Sequence, residues 1–193
     1  MAPQPSDEDL FAAYVAGDRD AFRQLFDRYS GPLTRLMRQQ IRNPQDAGEL
    51  VQQTFLQLHR ARRDFRQGAR LKPWLYTIAL NLRRGWFRTR GRRPETPLDP
   101  ARHPLPTVDP VDLTRGEDAQ RVRTALEGLT ATQREVIELH WFEELSFPEV
   151  AQVLGANVNT VKVRAHRGYK VLRAALADDD GQISGRTAEG SWT

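Results

Sequence analysis

The sequence predicts an all-α protein: two small helical domains joined by a proline-rich linker, the C-terminal one a helix-turn-helix. Three observations carry this. Apolar residues recur at three- and four-residue steps in both halves, and no stretch alternates with the period of two that a half-buried strand requires. Half of the twelve prolines stand at Pro94, Pro97, Pro100, Pro104, Pro106 and Pro110. Residues 92–115 therefore cannot hold a helix, and they have little apolar material for a strand. Near the C-terminus two periodic stretches meet across Gly155-Ala156-Asn157, a break short enough for a tight turn between helices.

Each element has its own signals. Ser6 caps a helix from Asp7 to Ala16, and Gly17-Asp18 breaks and restarts the chain. Ala21, Phe22, Leu25, Phe26 and Tyr29 come next at helical spacing. Ser30-Gly31-Pro32 reads as the start of a separate helix carrying Leu33, Leu36, Met37 and Ile41. Asn43-Pro44 is a cap followed by proline at the first helical position. The helix it opens runs to about Arg63, with Val51, Phe55 and Leu58 inward. The next spans about Lys72 to Arg90, with Leu71, Leu75, Ile78, Ala79, Leu82 and Trp86 inward. Beyond the linker, Glu117–Leu126 is one segment. Thr130 and Gln133 form a capping box before Val136, Ile137, Leu139 and Trp141. Ser146 and Glu149 form another before Val150, Val153 and Leu154, with Pro148 in the first turn. Gly155 suits the left-handed residue that ends this helix, and Asn157 caps the last one. These signals divide the chain into a domain over 7–91, an extended linker over 92–115, a domain over 116–177 and a disordered polar tail over 178–193.

Bulk numbers narrow the function. The 193 residues include no cysteine, which excludes disulfides, thiolate nucleophiles and cysteine zinc sites and suits a reducing cytoplasm. No run of 18 apolar residues suggests membrane insertion. The N-terminus lacks both the basic start and the apolar core of a signal peptide. The net charge of +4 is unevenly spread. Residues 1–93 hold 18 Lys+Arg against 9 Asp+Glu, and residues 94–193 hold 11 against 16. Only Lys72, Lys162 and Lys170 are lysines; the arginine excess suits phosphates and base edges. There is no P-loop, no G-x-G-x-x-G and no G-x-S-x-G, and the four histidines have no metal spacing. No catalytic residue, cofactor, metal site or small-molecule substrate is expected.

Three stretches remain. In "VAQVLGANVNTVKVRAHRGYKVLR", Val161, Ala165, Tyr169, Leu172 and Leu176 share the inner face of the last helix. Asn159, Lys162, Val163, His166, Arg167 and Lys170 then point outward. From Asn157 to Arg173 there is no acid, while Glu135, Glu138, Glu143, Glu144 and Glu149 stand before it. A capped turn leading into an acid-free face favours DNA over a merely solvated surface. In "KPWLYTIALNLRRGWFRTRGRR", Thr77, Asn81, Arg84 and Arg88 line one face, and six arginines fall between Arg83 and Arg93. Arginines hold phosphates, aromatics stack bases and an amide reads a base edge, so this surface suits a single strand. Core packing is the better account of at least two of Trp74, Tyr76, Trp86 and Phe87. In "NPQDAGELVQQTFLQLHRA", Asp46, Glu49, Gln53, Leu56 and Gln57 face outward. They either answer the helix dipole or form a protein-docking face, and spacing leaves both open.

These motifs, in this order, resemble the extracytoplasmic-function (ECF) sigma factors, initiation subunits of bacterial RNA polymerase. The likeness covers Asp7 to about Gly91 and Glu117 to about Leu176. It implies that 7–91 is a sigma region 2-like domain for core polymerase binding and for −10 recognition and melting. It implies that 116–177 is a region 4-like domain for −35 recognition. It places Asp46, Glu49, Leu50, Gln53 and Phe55 in the segment that docks on the polymerase. It sets Asn81 near an unstacked non-template base, followed along the −10 strand by Arg83, Arg84, Trp86 and Arg88. It gives Asn159, Thr160, Lys162, Val163, His166 and Arg167 the recognition-helix positions for the −35 element. Core RNA polymerase, promoter DNA and an anti-sigma factor are the implied partners. The implied location is the cytoplasm, with sequestration at the inner membrane by an anti-sigma factor as one form of control. Some positions depart from the pattern: Gly48-Glu49 replaces a pair of acids, Gln53 an acid, Gly85 an Asp, Asn159 a Gly and Val163 a small polar residue. The residues alone leave an alternative, a two-domain helix-turn-helix transcriptional regulator that does not join the polymerase.

Overall fold

In the computed structural model, the described residues are 4–66, 68–89 and 124–183, with side chains through 175. Their regular elements are helical: α1 (Asp7–Val15), α2 (Arg19–Arg38), α3 (Pro44–Arg60), α4 (Leu71–Thr89), α5 (Ala131–Ile137), a π-helical turn (Glu138–Phe142), α6 (Phe147–Leu154) and α7 (Val158–Ile183). The linker expected over 92–115 and most of the segment Glu117–Leu126 lie outside the described residues, as does the tail from 184 onward. By contact the chain falls into two compact units. One gathers α1–α4 with Pro148–Ala156, and the other gathers the rest of the second half.

The start signals act as their chemistry requires. Ser6, Asp18 and Asn43 each accept a backbone N–H from the first turn of the next helix, answering donors that have no intrahelical partner. Helix α4 has no such residue before it. Its first N–H, on Leu71, is instead bound by Glu8 Oε1 of α1 at 2.9 Å. An acid 63 positions away in sequence thus stands at the positive end of α4. Asp7, beside it, accepts from the Tyr29 hydroxyl and the Arg28 guanidinium, tying α1 to α2.

One expected break is absent. Ser30-Gly31-Pro32 does not open a new helix, and α2 runs through it as a single element. The missing N–H of Pro32 costs a helix interior about 3 kcal/mol. Tyr29, Leu33, Leu36 and Met37 are all buried across this point, and burying each such side chain stabilises by about 1.5–3 kcal/mol. Burial on both sides of the proline outweighs the lost bond.

In the first unit α1 packs on α2, α2 on α3 and α3 on α4, and α1 and α2 also touch α4. Leu25, Leu33, Met37, Leu58, Leu75, Tyr76 and Leu80 fill the centre. Phe11, Phe65 and Trp74 meet as tilted and edge-on rings beside it. By contact, Pro148–Ala156 groups with this unit: Glu149 pairs with Arg70 at 2.9 Å, and the Leu154 carbonyl accepts from Arg84 at 2.9 Å.

In the second unit α5 packs on α7. The Thr130–Gln133 capping box forms in both directions. Val136, Ile137, Leu139, Val161 and Ala165 are buried. Gly168 marks the closest approach: a Cβ there would sit 2.6 Å from Ile137 Cδ1. Trp141, expected on an apolar face, is 63% exposed. The π turn inserts a residue after Ile137 and rotates the chain beyond it. Leu139 and Leu145 therefore keep the interior, while Trp141 swings out and donates to the Tyr169 hydroxyl. Helix α7 also runs to Ile183, past the expected end at Ala177. The alanines at 174, 175 and 177 are strong helix formers, and no proline comes after them to stop the helix.

Candidate polymerase and nucleic-acid interface

The α7 face is built by its turn. Gly155 adopts φ +63°, the left-handed conformation that glycine takes without a Cβ penalty. The Ala156 N–H closes back on the Ala151 carbonyl at 2.9 Å. Asn157 then starts α7, its Oδ1 accepting from the Asn159 N–H at 2.8 Å. The caps fix where α7 begins and hence which side chains share a face. Val161, Ala165 and Gly168 are buried, whereas Asn159, Thr160, Lys162, Val163, His166, Arg167 and Lys170 are all exposed. Among the described residues, no salt bridge or side-chain hydrogen bond engages Lys162, His166, Arg167 or Lys170. Exposed cations along the N-terminal half of a helix, whose dipole is positive at that end, make a surface chemically suited to phosphates and base edges.

The α4 face is arranged otherwise. Asn81, Arg84 and Arg88 are exposed, and Trp86 is half-buried with its ring edge-on to Phe87 at 5.0 Å. Arg83 is a correction to the expected line of strand contacts. It is only 4% exposed, and its Nη1 points to the Leu36 carbonyl at 3.5 Å. The reason is spacing. Tyr76, Ala79, Leu80 and Arg83 form a buried stripe at three- and four-residue steps, and Arg83 ends it. Ile78, Leu82 and Trp86, expected inward, are only half-buried, while Tyr76 and Leu80 take the interior. A phosphate cannot reach Arg83 here; the side chain instead joins α4 to α2.

On α3, Glu49, Gln53, Leu56 and Gln57 are exposed and Asp46 is partly so. Leu50 and Phe55, expected to dock on the polymerase, are buried. Phe55 packs between Phe22 and Phe26, so these two residues shape the face from beneath. Leu56, 47% exposed, is the apolar side chain that α3 offers outward.

A fourth feature is not among the sequence expectations. A cleft of about 700 Å³ opens between α1 and the chain leading into α4, lined by Glu8, Phe11, Arg62, Arg63, Phe65 and Arg70. Its signal is "RARRDFRQGAR", where arginines flank a phenylalanine outside any helical period. Only the fold brings Glu8 and Phe11 opposite them.

Comparison with known proteins places these surfaces in a class. Residues 25–93 match the family model for sigma-70 region 2 and residues 119–172 the model for sigma-70 region 4. A chain with both is a sigma-70-type initiation factor. It is 36% identical over 172 residues to the ECF RNA polymerase sigma factor SigM of Mycobacterium tuberculosis, covering 89% of this chain and 83% of that one. It is 30% identical to the ECF RNA polymerase sigma factor SigW of Bacillus subtilis, covering 84% and 92%. Among solved structures it resembles CnrH in complex with the cytosolic domain of CnrY (31% identity, TM-score 0.62, 91% and 99% covered). It also resembles the sigma factor RpoE of Bartonella quintana in complex with the anti-sigma factor NepR (27%, TM-score 0.62, 81% and 96%). The chain belongs to the ECF sigma factors. It binds core RNA polymerase and promoter DNA and directs promoter-specific initiation; nothing favours the free-standing regulator. Among the described residues no helix is long and apolar enough to cross a membrane.

Proposed function

We propose that residues 7–91 dock on core polymerase and capture the melted −10 non-template strand, and that residues 116–177 anchor the complex on −35 duplex. The exposed, acid-free face of α7 carries this reading. Asn159, Thr160, Lys162, Val163, His166 and Arg167 meet the −35 element, with Arg167 and Lys162 neutralising phosphates and Val163 offering apolar contact, as to a thymine methyl. Asn81, Arg84, Trp86 and Arg88 receive bases as they leave the stack, and their capture offsets an unstacking cost of about a few kcal/mol. Asp46, Glu49 and Gln53 meet the polymerase on a face that Leu50 and Phe55 support from inside. The chain makes and breaks no bond; it lowers the cost of opening DNA for the polymerase. By likeness to RpoE with NepR, an anti-sigma factor is the partner that withholds it, in the cytoplasm or at the inner membrane.

The test is transcription with purified parts. Core polymerase plus this chain should yield a discrete transcript from a template carrying the region upstream of its own gene. Neither component should do so alone. Absence of any promoter-specific transcript with core, on that template or a genomic library, would sink the reading.

A further inference from the structure

We propose that the outer side of α2, near its C-terminal end, is a DNA-backbone contact: Arg35, Arg38 and Arg42 hold phosphates beside the −10 region. This rests on the reading that α4 meets the −10 strand.

The stretch "RYSGPLTRLMRQQIRNPQ", residues 28–45, contains four arginines and no acid, the pattern that also marks the outer face of α7. Arg28 is taken by Asp7. Among the described residues, no salt bridge or side-chain hydrogen bond engages Arg35, Arg38 or Arg42. Their spacing puts all three on one side of the winding chain. That winding continues past the end of α2, where the Ile41 N–H closes on the Met37 carbonyl at 3.0 Å. Leu33, Leu36, Met37 and Ile41 take the opposite side and are buried. Arg42 is exposed, and Arg35 and Arg38 are half-buried. Gly31 adds no side chain to the same stripe, and the Arg35 guanidinium reaches back over it, 3.9 Å from where a Cβ would stand.

Two other accounts of these cations fall short. Arg35 and Arg38 lie in the last turn of α2, where a cation meets the negative end of the helix dipole. That effect fades within one turn and does not explain Arg42, which stands beyond the cap at Gln39. Core polymerase is the wrong sign of partner. The face proposed to meet it carries Asp46 and Glu49 and calls for a basic surface, which would repel these arginines. Location favours DNA. Arg83 of α4 points to the Leu36 carbonyl, so the last turns of α2 lie beside the part of α4 that carries Arg84, Trp86 and Arg88. Both sets of arginines thus belong to one end of the first unit. Guanidinium forks bond phosphate oxygens in pairs. Such contacts carry no sequence information but fix where the DNA lies. The end of α2 holds the backbone, and α4 meets the bases.

The test uses the full chain with core polymerase on a fluorescent fork template that carries the −10 element and no −35 element. Wild type should bind it with a preference for the −10 sequence. Arg42→Gln should lower the slope of log affinity against log salt by about 0.9 for a duplex phosphate, or about 0.7 for a single-strand one. A fourfold rise in salt should then weaken wild type about threefold more than the variant. The triple variant Arg35→Gln, Arg38→Gln, Arg42→Gln should lower the slope by about two to three times as much. Base preference at −10 and association with core should stay unchanged. An unchanged slope in the triple variant overturns the proposal. Loss of core association with the slope intact also overturns it, and assigns the patch to the polymerase. A lower melting temperature with the slope intact overturns it too, and leaves the arginines to the helix dipole. If wild type shows no −10 preference on the fork, the reading of α4 fails and the proposal falls with it.

Discussion

Helices α4 and α7 both present arginines and an asparagine, yet the two faces are constructed in opposite ways. On α7, Lys162, His166, Arg167 and Lys170 are exposed and, among the described residues, unengaged, and the interior is met by small residues, Val161, Ala165 and Gly168. On α4 one arginine is buried, another is bonded to Asn81 and to the Leu154 carbonyl, and large side chains such as Tyr76 and Leu80 root the helix. On the proposed roles, the difference suits two kinds of DNA. Duplex offers a regular line of phosphates, and free long side chains can adapt to it. A base leaving the stack offers an irregular edge, and reading it takes groups already held in place. One surface gains from mobility and the other from being fixed in advance.

The comparison breaks most sharply through stability. Arg83→Ala should destabilise the first unit by about 2 kcal/mol, because a buried stem and its bonding are lost together. Arg167→Ala should leave thermal stability within about 0.5 kcal/mol of wild type. Equal melting temperatures for the two variants would show that Arg83 does not root α4. Gly168→Val probes the close approach beneath α7 and should cost about 1–3 kcal/mol through overpacking against Ile137. A neutral effect in calorimetry would mean that the α5–α7 contact yields freely.

The α7 face itself is sharpened by salt. Arg167→Ala and Lys162→Ala should each weaken holoenzyme binding to −35 duplex and reduce the slope of log affinity against log salt by about 0.9, one phosphate's worth. An unchanged slope would assign the side chain to a base edge instead. The smallest effect concerns the α1–α2 latch. Burial, with the hydrogen bond to Asp7 second, raises the Tyr29 hydroxyl well above its usual range. The unfolded chain loses that proton near pH ~10 while the folded chain keeps it. The latch's contribution is thus whole below about pH 10 and declines as pH rises above it. Tyr29→Phe should flatten this alkaline loss in urea melts; an unaltered alkaline limb would remove Tyr29 as its source.

Much of this was legible in the sequence because it is local. Asn43-Pro44, the Thr130–Gln133 box and Gly155 with Asn157 each act within a few residues, and each works in the fold as its chemistry dictates. The α7 outer face comes from the last of these, since a fixed start and a period of about 3.6 leave no freedom in which residues point out. The α4 face was harder. Its apolar residues occupy more than one stripe, so periodicity alone could not say that Tyr76 and Leu80 go inside or that Arg83 goes with them.

The sequence by itself determined the helical class, several caps and the basic outer face of α7, because hydrogen bonds and periodicity over one or two turns suffice for those. Only the tertiary structure decided that Pro32 lies within a helix, that Glu8 caps α4, that Arg83 is withdrawn from the surface and that Arg84 holds Asn81. Three of these turn on burial or on partners distant along the chain. For Arg84, neighbouring Asn81 was expected, but the second bond, to Leu154 seventy residues away, was not.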